Sequence, residues 1–403
     1  MNNFEATLLI SPDLTVKKIE SIEKFFEKNV NKLDGSIIAK ENWGLRNLSY
    51  KINNVKKAFY CFYQMTFEGS KIHDLKNNLS QNEEILRYLI IKVNKHDDLP
   101  TKLFNNKEKE FFKKSNPLGF ILFERNCKTF NQTKSLIKDL KKTTSHKNTI
   151  IMIDQEGGRV ARLKKPDSKL YPSAETFGKT AEKNLNLGKK LTFINSLEIA
   201  KDLKRLGINM NCAPVLDVKY DFTNNVIGDR SFSSNPKIVS ELGKSFCNAH
   251  KKAGVIPVIK HIPGHGASRK DSHKTTPNIN MDIISLNKVD FFPFKKLNNE
   301  SVAMVAHIIY SKIDKEIACY SKKVIEKIIR KKIGFKGLLI SDDINMKALK
   351  GTIKDKVLSI LKSGCEVILH CNGNMKEMTQ IHSSIPLIKN TTLKKISKLS
   401  NLR

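Results

Sequence analysis

Val255-Ile256-Pro257-Val258-Ile259-Lys260-His261-Ile262-Pro263-Gly264-His265-Gly266 opens on an apolar run and closes on polar residues and glycine. Val255–His261 reads as a strand with its polar residues at the carboxyl end. The pattern recurs on both sides. Apolar strands at Leu118–Phe123, Thr149–Asp154, Ile208–Asp217, Val302–His307, Gly337–Asp342 and Glu366–His370 alternate with helical segments such as Leu185–Leu206 and Pro236–Ala253. This alternation predicts a parallel α/β sheet or barrel.

Further toward the N-terminus the pattern changes. Phe4–Ile10 reads as a strand, and Thr15–Leu33 has helical spacing at Val16, Ile19, Ile22, Phe25 and Phe26. Gly35–Asn42, Leu48–Ile52 and Ala58–Thr66 read as strands, Ser70–Ser80 as a helix and Leu86–Val93 as a last strand. The order β-α-β-β-α-β is the ferredoxin-like split unit. Pro100 to about Pro117 is polar and Lys-rich, a linker that becomes a short helix. The expected division is a ferredoxin-like domain over 1–98, a linker and entry helix over 99–116, a barrel over 117–390 and a basic tail over 391–403.

The 403 residues carry 72 Lys and Arg against 40 Asp and Glu, a net charge of +32. Residues 1–100 hold 15 basic and 13 acidic side chains, so the excess lies in the remaining 303. Nucleic-acid attraction is one reading of that charge. A compositional habit is the other, since Lys far outnumbers Arg and the lysines are scattered. Hydrophobic residues at 39% indicate a globular chain and not a disordered one. Seven cysteines without a CxxC pair suggest neither a disulfide framework nor a zinc ribbon and fit a reducing cytoplasm. No signal-like N-terminus or sustained apolar run appears, so an unexported protein without a membrane partner is expected.

The strand FEATLLISPDL, the turn Trp43-Gly44-Leu45-Arg46 running into Leu48, Ser49, Tyr50 and Ile52, the Ala58-Phe59-Tyr60 strand and the closing ILRYLIIKV together resemble the bacterial small-subunit ribosomal protein six over about residues 3–95. The resemblance implies contact with small-subunit ribosomal RNA and with ribosomal protein eighteen. Arg46 and Lys51 are candidate phosphate contacts. Asn47 stands where family members often have a second Arg, and Lys51 where they often have Pro.

Four polar stretches follow predicted strands, where a parallel barrel gathers its active site. They are Asp154-Gln155-Glu156-Gly157-Gly158-Arg159 with Arg162; Ile227-Gly228-Asp229-Arg230-Ser231-Phe232; Lys260-His261-Ile262-Pro263-Gly264-His265-Gly266 leading to Asp271-Ser272-His273; and Ser341-Asp342-Asp343. Together they resemble the family-three glycoside hydrolases over about residues 103–390, closest to the cytoplasmic β-N-acetylglucosaminidases of peptidoglycan recycling. The resemblance implies a (β/α)8 TIM-type barrel. Seven clear strands are present, so the barrel is expected to lack its first strand, with Pro100–Phe104 the segment available before the entry helix.

Asp342 ends an apolar strand, and alternation along a strand keeps Asp342 and Asp343 from aiming at one point. The resemblance implies Asp342 as nucleophile of a retaining reaction, with Asp343 better suited to a cap. His273 lies two residues after Asp271, a spacing that lets a carboxylate hold an imidazole. The resemblance implies His273 as general acid/base and Asp271 as its partner, with Gly264, Gly266 and Ser268 leaving their loop free to move. Asp154, Arg162, Arg230, Lys260 and His261 match positions that hold a terminal N-acetylglucosamine. No GxGxxG, GxxxxGK[ST] or HExxH spacing occurs, so neither nucleotide, metal nor other cofactor is expected. The reading is a cytoplasmic, ribosome-associated exo-β-N-acetylglucosaminidase acting on N-acetylglucosaminyl-anhydromuramyl fragments. The alternative is a structural ribosomal protein with an inactive, truncated hydrolase tail.

Overall fold

In the computed structural model, residues 1–96, 106–146, 148–163, 170–272 and 275–400 are described. Their chain divides into two units, Met1–Asn105 and Asn106–Arg403. His273 and the segment Pro100–Phe104 lie outside the described residues.

The first unit runs β1 (Asn2–Ile10), α1 (Val16–Lys32), β2 (Ser36–Ile52), β3 (Val55–Phe67), α2 (Ile72–Ser80) and β4 (Ile85–Val93). Period-two alternation along β1 buries Phe4, Ala6, Leu8 and Ile10 against Ile19, Ile22, Phe26 and Val30 of α1. The sheet order is β2-β3-β1-β4 with antiparallel pairing throughout. Gly35–Asn42 and Leu48–Ile52, expected as two strands, form one long strand that pairs with β3 in a hairpin. The break expected at Trp43-Gly44 is absorbed as a register irregularity between Asn42 and Gly44. The reversal falls instead at Asn53 and Asn54, both at positive φ, which a two-residue hairpin turn demands.

The second unit continues with α3 (Asn106–Ser115), β5 (Gly119–Leu122), α4 (Phe130–Lys142), β6 (Ile150–Ile153), α5 (Ala174–Lys183), α6 (Leu185–Leu206), β7 (Met210–Asn211), α7 (Pro236–Lys252) and β8 (Ile256–Ile262). After it come β9 (Asn278–Ile279), α8 (Ile283–Lys288), α9 (Phe291–Lys296), β10 (Val302–Val305), β11 (Ile309–Tyr310), a π-helical segment Val324–Ile333, β12 (Leu338–Asp343), α10 (Ile353–Ser363), β13 (Val367–Leu369), α11 (Met375–Ser384) and α12 (Asn390–Ser400). Seven strands pair in parallel in the order β13-β12-β10-β8-β7-β6-β5.

Alternate strand residues face two cores. Ile259, Ala303, Val305 and Leu339 pack toward the helices with Phe246 and Phe294. Met152, Met210, Val258, Met304 and Ile340 face inward and share one cluster with Ile121 of β5 and Leu369 of β13. Residues of both edge strands meet in that interior, so the sheet curls until it is nearly closed. Residues 391–403 were expected as a basic tail; they are helical as far as Ser400. Ile396 and Leu399 of α12 join the inward cluster, and Lys395 Nζ reaches Gly337 O ahead of β12 at 3.3 Å. An amphipathic period, not charge, decides the fate of that segment. Among the described residues no helix is long and apolar enough to cross a membrane.

Candidate active site

Parallel strands deliver their carboxyl ends to one rim, and the polar stretches lie in the last residues of those strands or in the segments that follow them. Asp154 follows β6, and Glu156 stands two residues further on. Lys260 projects from β8 with only 3% of its side chain exposed, and its Nζ lies 2.9 Å from Asp154 Oδ1 and 2.6 Å from Glu156 Oε1. A buried ammonium persists only with such partners. Burial alone pushes Lys260 down, but the two carboxylates outweigh it and hold the ammonium above its ordinary range. Glu156 also accepts a bidentate fork from Arg230, through Nε and Nη2 at 2.8 Å each. Burial opposes its ionisation, yet Arg230 and Lys260 hold it well below the usual carboxylate range. Arg230 Nη1 donates to Val226 O at 2.8 Å, so this side chain is largely engaged within the protein.

Arg162 reaches Asp154 Oδ2 at 3.2 Å. Gln155 Oε1 accepts from the backbone N of Arg162 and of Leu163 at 2.8 and 3.1 Å, which fixes where the guanidinium starts. Arg162 Nε and Gln155 Nε2 are buried donors with no acceptor among the described protein atoms.

His261 is oriented by Asp217, a fully buried carboxylate. Asp217 Oδ2 lies 2.7 Å from His261 Nδ1, and Oδ1 accepts from the backbone N of His261 at 3.2 Å and of His265 at 2.7 Å. Desolvation would raise Asp217, but the two histidines hold it down. An ionised acceptor at Nδ1 places a proton there and leaves Nε2 for other partners. His265 packs edge-on against His261 with centroids 5.7 Å apart, and burial lowers it to about 4, so it is neutral at pH 7. Gly266 does not give its loop freedom. A Cβ there would lie 1.8 Å from Val218 O, so glycine permits a close backbone approach.

Asp342 is the penultimate residue of β12, partly buried, with Oδ1 accepting its neighbour's backbone N at 2.8 Å. Desolvation pushes its carboxyl up, but His307, His261 and Lys260 hold it below the ordinary value. It is an ionised carboxylate facing imidazoles and an ammonium. Asp343 turns elsewhere: its Oδ1 accepts from the backbone N of Asn345 at 3.1 Å and of Cys371 at 3.2 Å, and burial raises it. Asp271 is partly buried, and its carbonyl accepts Thr275 N at 3.0 Å. In the first unit, Arg46 and Lys51 are exposed on β2, and the Arg46 guanidinium lies 5.8 Å from the centroid of Trp43.

The structure thus brings Asp154, Arg162, Arg230, Lys260, His261 and Asp342 into one charged neighbourhood. Glu156, Asp217 and His307 belong to it, though the sequence assigned them no role there. For Glu156 a signal existed, because two residues after Asp154 is the same side of an extended chain.

The family model described as the N-terminal domain of glycosyl hydrolase family 3 matches residues 81–398, and that of ribosomal protein S6 matches residues 3–92. A Beta-hexosaminidase of Nitrosomonas eutropha is 34% identical over 264 residues, covering 64% of this chain and 75% of its own. The crystal structure of native NagZ from Neisseria gonorrhoeae has a TM-score of 0.68 at 29% identity, covering 73% of this chain and 86% of that one. The same enzyme in complex with N-trifluoroacetyl-D-glucosamine gives 0.68 at 28% identity, with the same coverage of 73% and 86%. With its charged rim on a curled parallel sheet and a match over most of its length, the chain belongs to glycosyl hydrolase family 3 and is a glycoside hydrolase.

Proposed function

We propose that this chain is a retaining exo-β-N-acetylglucosaminidase, with Asp342 as nucleophile and His273, steadied by Asp271, as general acid/base. The observation that carries the reading is the ionised Asp342 on the same rim as the Lys260 cluster. A carboxylate held ready beside fixed charges suits an oxocarbenium-like transition state, and charged donors and acceptors suit a hydroxyl-rich sugar. An Asp342 oxygen attacks the anomeric carbon while the glycosidic C–O bond breaks, and the leaving oxygen takes a proton from His273. Water then displaces Asp342 from that carbon as His273 takes the water's proton, and the configuration is retained. Asp154, Arg162, Lys260 and His261 hold the terminal sugar, and Arg230 acts on it through Glu156. The names of the relatives support an N-acetylhexosamine, and N-acetylglucosaminyl-anhydromuramyl fragments of peptidoglycan recycling are the substrates we assign, in the cytoplasm.

The sheet is read as a (β/α)8-type barrel without its first strand, a reading supported by β5 and β13 as the edges, among the described residues, of one shared interior. The first unit is read as contacting small-subunit ribosomal RNA and ribosomal protein eighteen, with Arg46 and Lys51 at phosphates. The match over residues 3–92 supports this. Release of p-nitrophenol from its β-N-acetylglucosaminide tests the enzymatic reading, with Asp342→Asn and His273→Ala as controls. Wild-type rates no higher than the controls overturn it. Co-sedimentation of the full chain with small ribosomal subunits tests the second, and absence from the pellet removes it.

A further inference from the structure

We infer that the turn over residues 220–225 is the seat of the loop leading to Asp271, with Thr223 and Asn224 as positioning residues for proton transfer; this rests on the role proposed above for Asp271 and His273. Thr223 Oγ1 accepts from Tyr220 N at 2.6 Å and donates to Gly266 O at 2.7 Å. Asn224 donates twice to the same loop, from N to Ser268 O and from Nδ2 to Arg269 O, each at 3.0 Å. Its Oδ1 accepts Val226 N at 2.9 Å, which fixes the amide's orientation. Side-chain stacking adds to these bonds. The Arg269 guanidinium lies 4.1 Å from the Phe222 centroid, and Phe222 stacks on Tyr220 at 5.1 Å.

The start of the loop is tied from below. Tyr310 Oη donates to Gly264 O at 2.5 Å, and Tyr220 Oη donates to the buried Asp290 at 2.6 Å. Carbonyls 264, 266, 268 and 269 therefore all have named donors, and Ser268 Oγ joins both backbone groups of Lys270, donating at 2.9 Å and accepting at 3.2 Å. These bonds hold the loop as far as Lys270, and Asp271 follows directly, its own carbonyl accepting Thr275 N at 3.0 Å. Proton transfer depends on placement to within a fraction of an ångström to an ångström, so a seat that holds the loop up to Asp271 sets where that residue enters the site. Neither Thr223 nor Asn224 carries a group that does this chemistry itself.

The test uses the leaving group as a reporter. A dinitrophenolate departs without a proton, whereas the sugar alkoxide of diacetylchitobiose cannot. Full-length wild type, Thr223→Val and Thr223→Ser are compared by kcat/KM on dinitrophenyl β-N-acetylglucosaminide and on diacetylchitobiose, with Asp342→Asn and His273→Ala alongside. Thr223→Val is expected to lose about 10-fold or more on the disaccharide relative to the dinitrophenyl substrate, and Thr223→Ser to recover to within about 2-fold of wild type. The ratio is taken within one preparation, so an unfolded fraction cancels. Equal loss on both substrates, no loss, or failure of serine to rescue overturns the seat alone. A wild type no faster than Asp342→Asn removes the parent reading instead, and a His273→Ala enzyme without leaving-group dependence removes its proton donor.

Discussion

Lys260 has two carboxylates within 3 Å, and each member of that cluster makes its neighbours' burial tolerable. Replacing Glu156 by Gln leaves Arg230 and Lys260 short of an anion, and a loss of about 3–5 kcal/mol at pH 7 is expected by chemical denaturation. The pH dependence follows from the shifts. Glu156 is held below its ordinary 4.5, so its contribution is present above that pH and is lost as pH falls toward the folded value. Lys260 is held above 10.5, so its contribution is present below that pH and is lost as pH rises through the folded value. The gap between wild type and Glu156→Gln should therefore narrow in acid. For Asp342→Asn we expect a fall in kcat on the order of 10⁴-fold with the melting temperature nearly kept, since among the described residues its one side-chain hydrogen bond is to its neighbour's amide. These residues differed in how readable they were. Asp342 and Lys260 lie near the carboxyl ends of strands whose apolar runs are plain in the sequence, whereas Asp217 meets His261 across 44 residues, a distance no local spacing encodes.

Among the elements, α5 and α7 carry the sharpest constraints. A Cβ at Gly178 would lie 1.5 Å from Phe232 O, so Gly178→Ala must move backbone and should cost at least about 2 kcal/mol by thermal unfolding. On α7, His250 is fully buried between Asn211 Nδ2 at 3.0 Å and Phe246 O at 3.3 Å, and burial lowers it to about 3. Below its ordinary 6.5 the unfolded chain takes up a proton that the folded one refuses, so stability falls as pH drops from there toward about 3. His265 contributes in the same direction. His250→Gln should shrink the difference between melting temperatures at about pH 5 and about pH 7, a window above the one in which Glu156 acts. Element positions were largely legible, since α6 and the seven parallel strands follow from apolar periodicity alone. The glycines were not: Gly266 reads as freedom until the carbonyl of Val218 is seen against it, a contact between segments far apart in the chain. The long β2–β3 hairpin was hidden for a related reason, because cross-strand pairing carried the strand through Trp43-Gly44.

On the scale of the second unit, side chains span the interval between the two edge strands. Arg125, just after β5, donates to the carbonyl of Cys371, just after β13, and the rings of Phe111 on α3 and His382 on α11 meet edge-on at 6.0 Å. Arg125 is exposed, so Arg125→Ala is expected to cost about 1 kcal/mol and lower the melting temperature of this unit by about 2 °C. Scanning calorimetry should show that loss confined to one of two transitions. Beneath the rim, α12 seats Ile396 and Leu399 in the inward cluster. Synthesis therefore delivers the two units on different schedules. The strands of residues 2–93 are complete early, whereas the apolar interior behind Asp342 stays unstoppered until Leu399 has been added. Any chaperone or protease acting on the nascent chain meets a finished first unit tethered to an unfinished second.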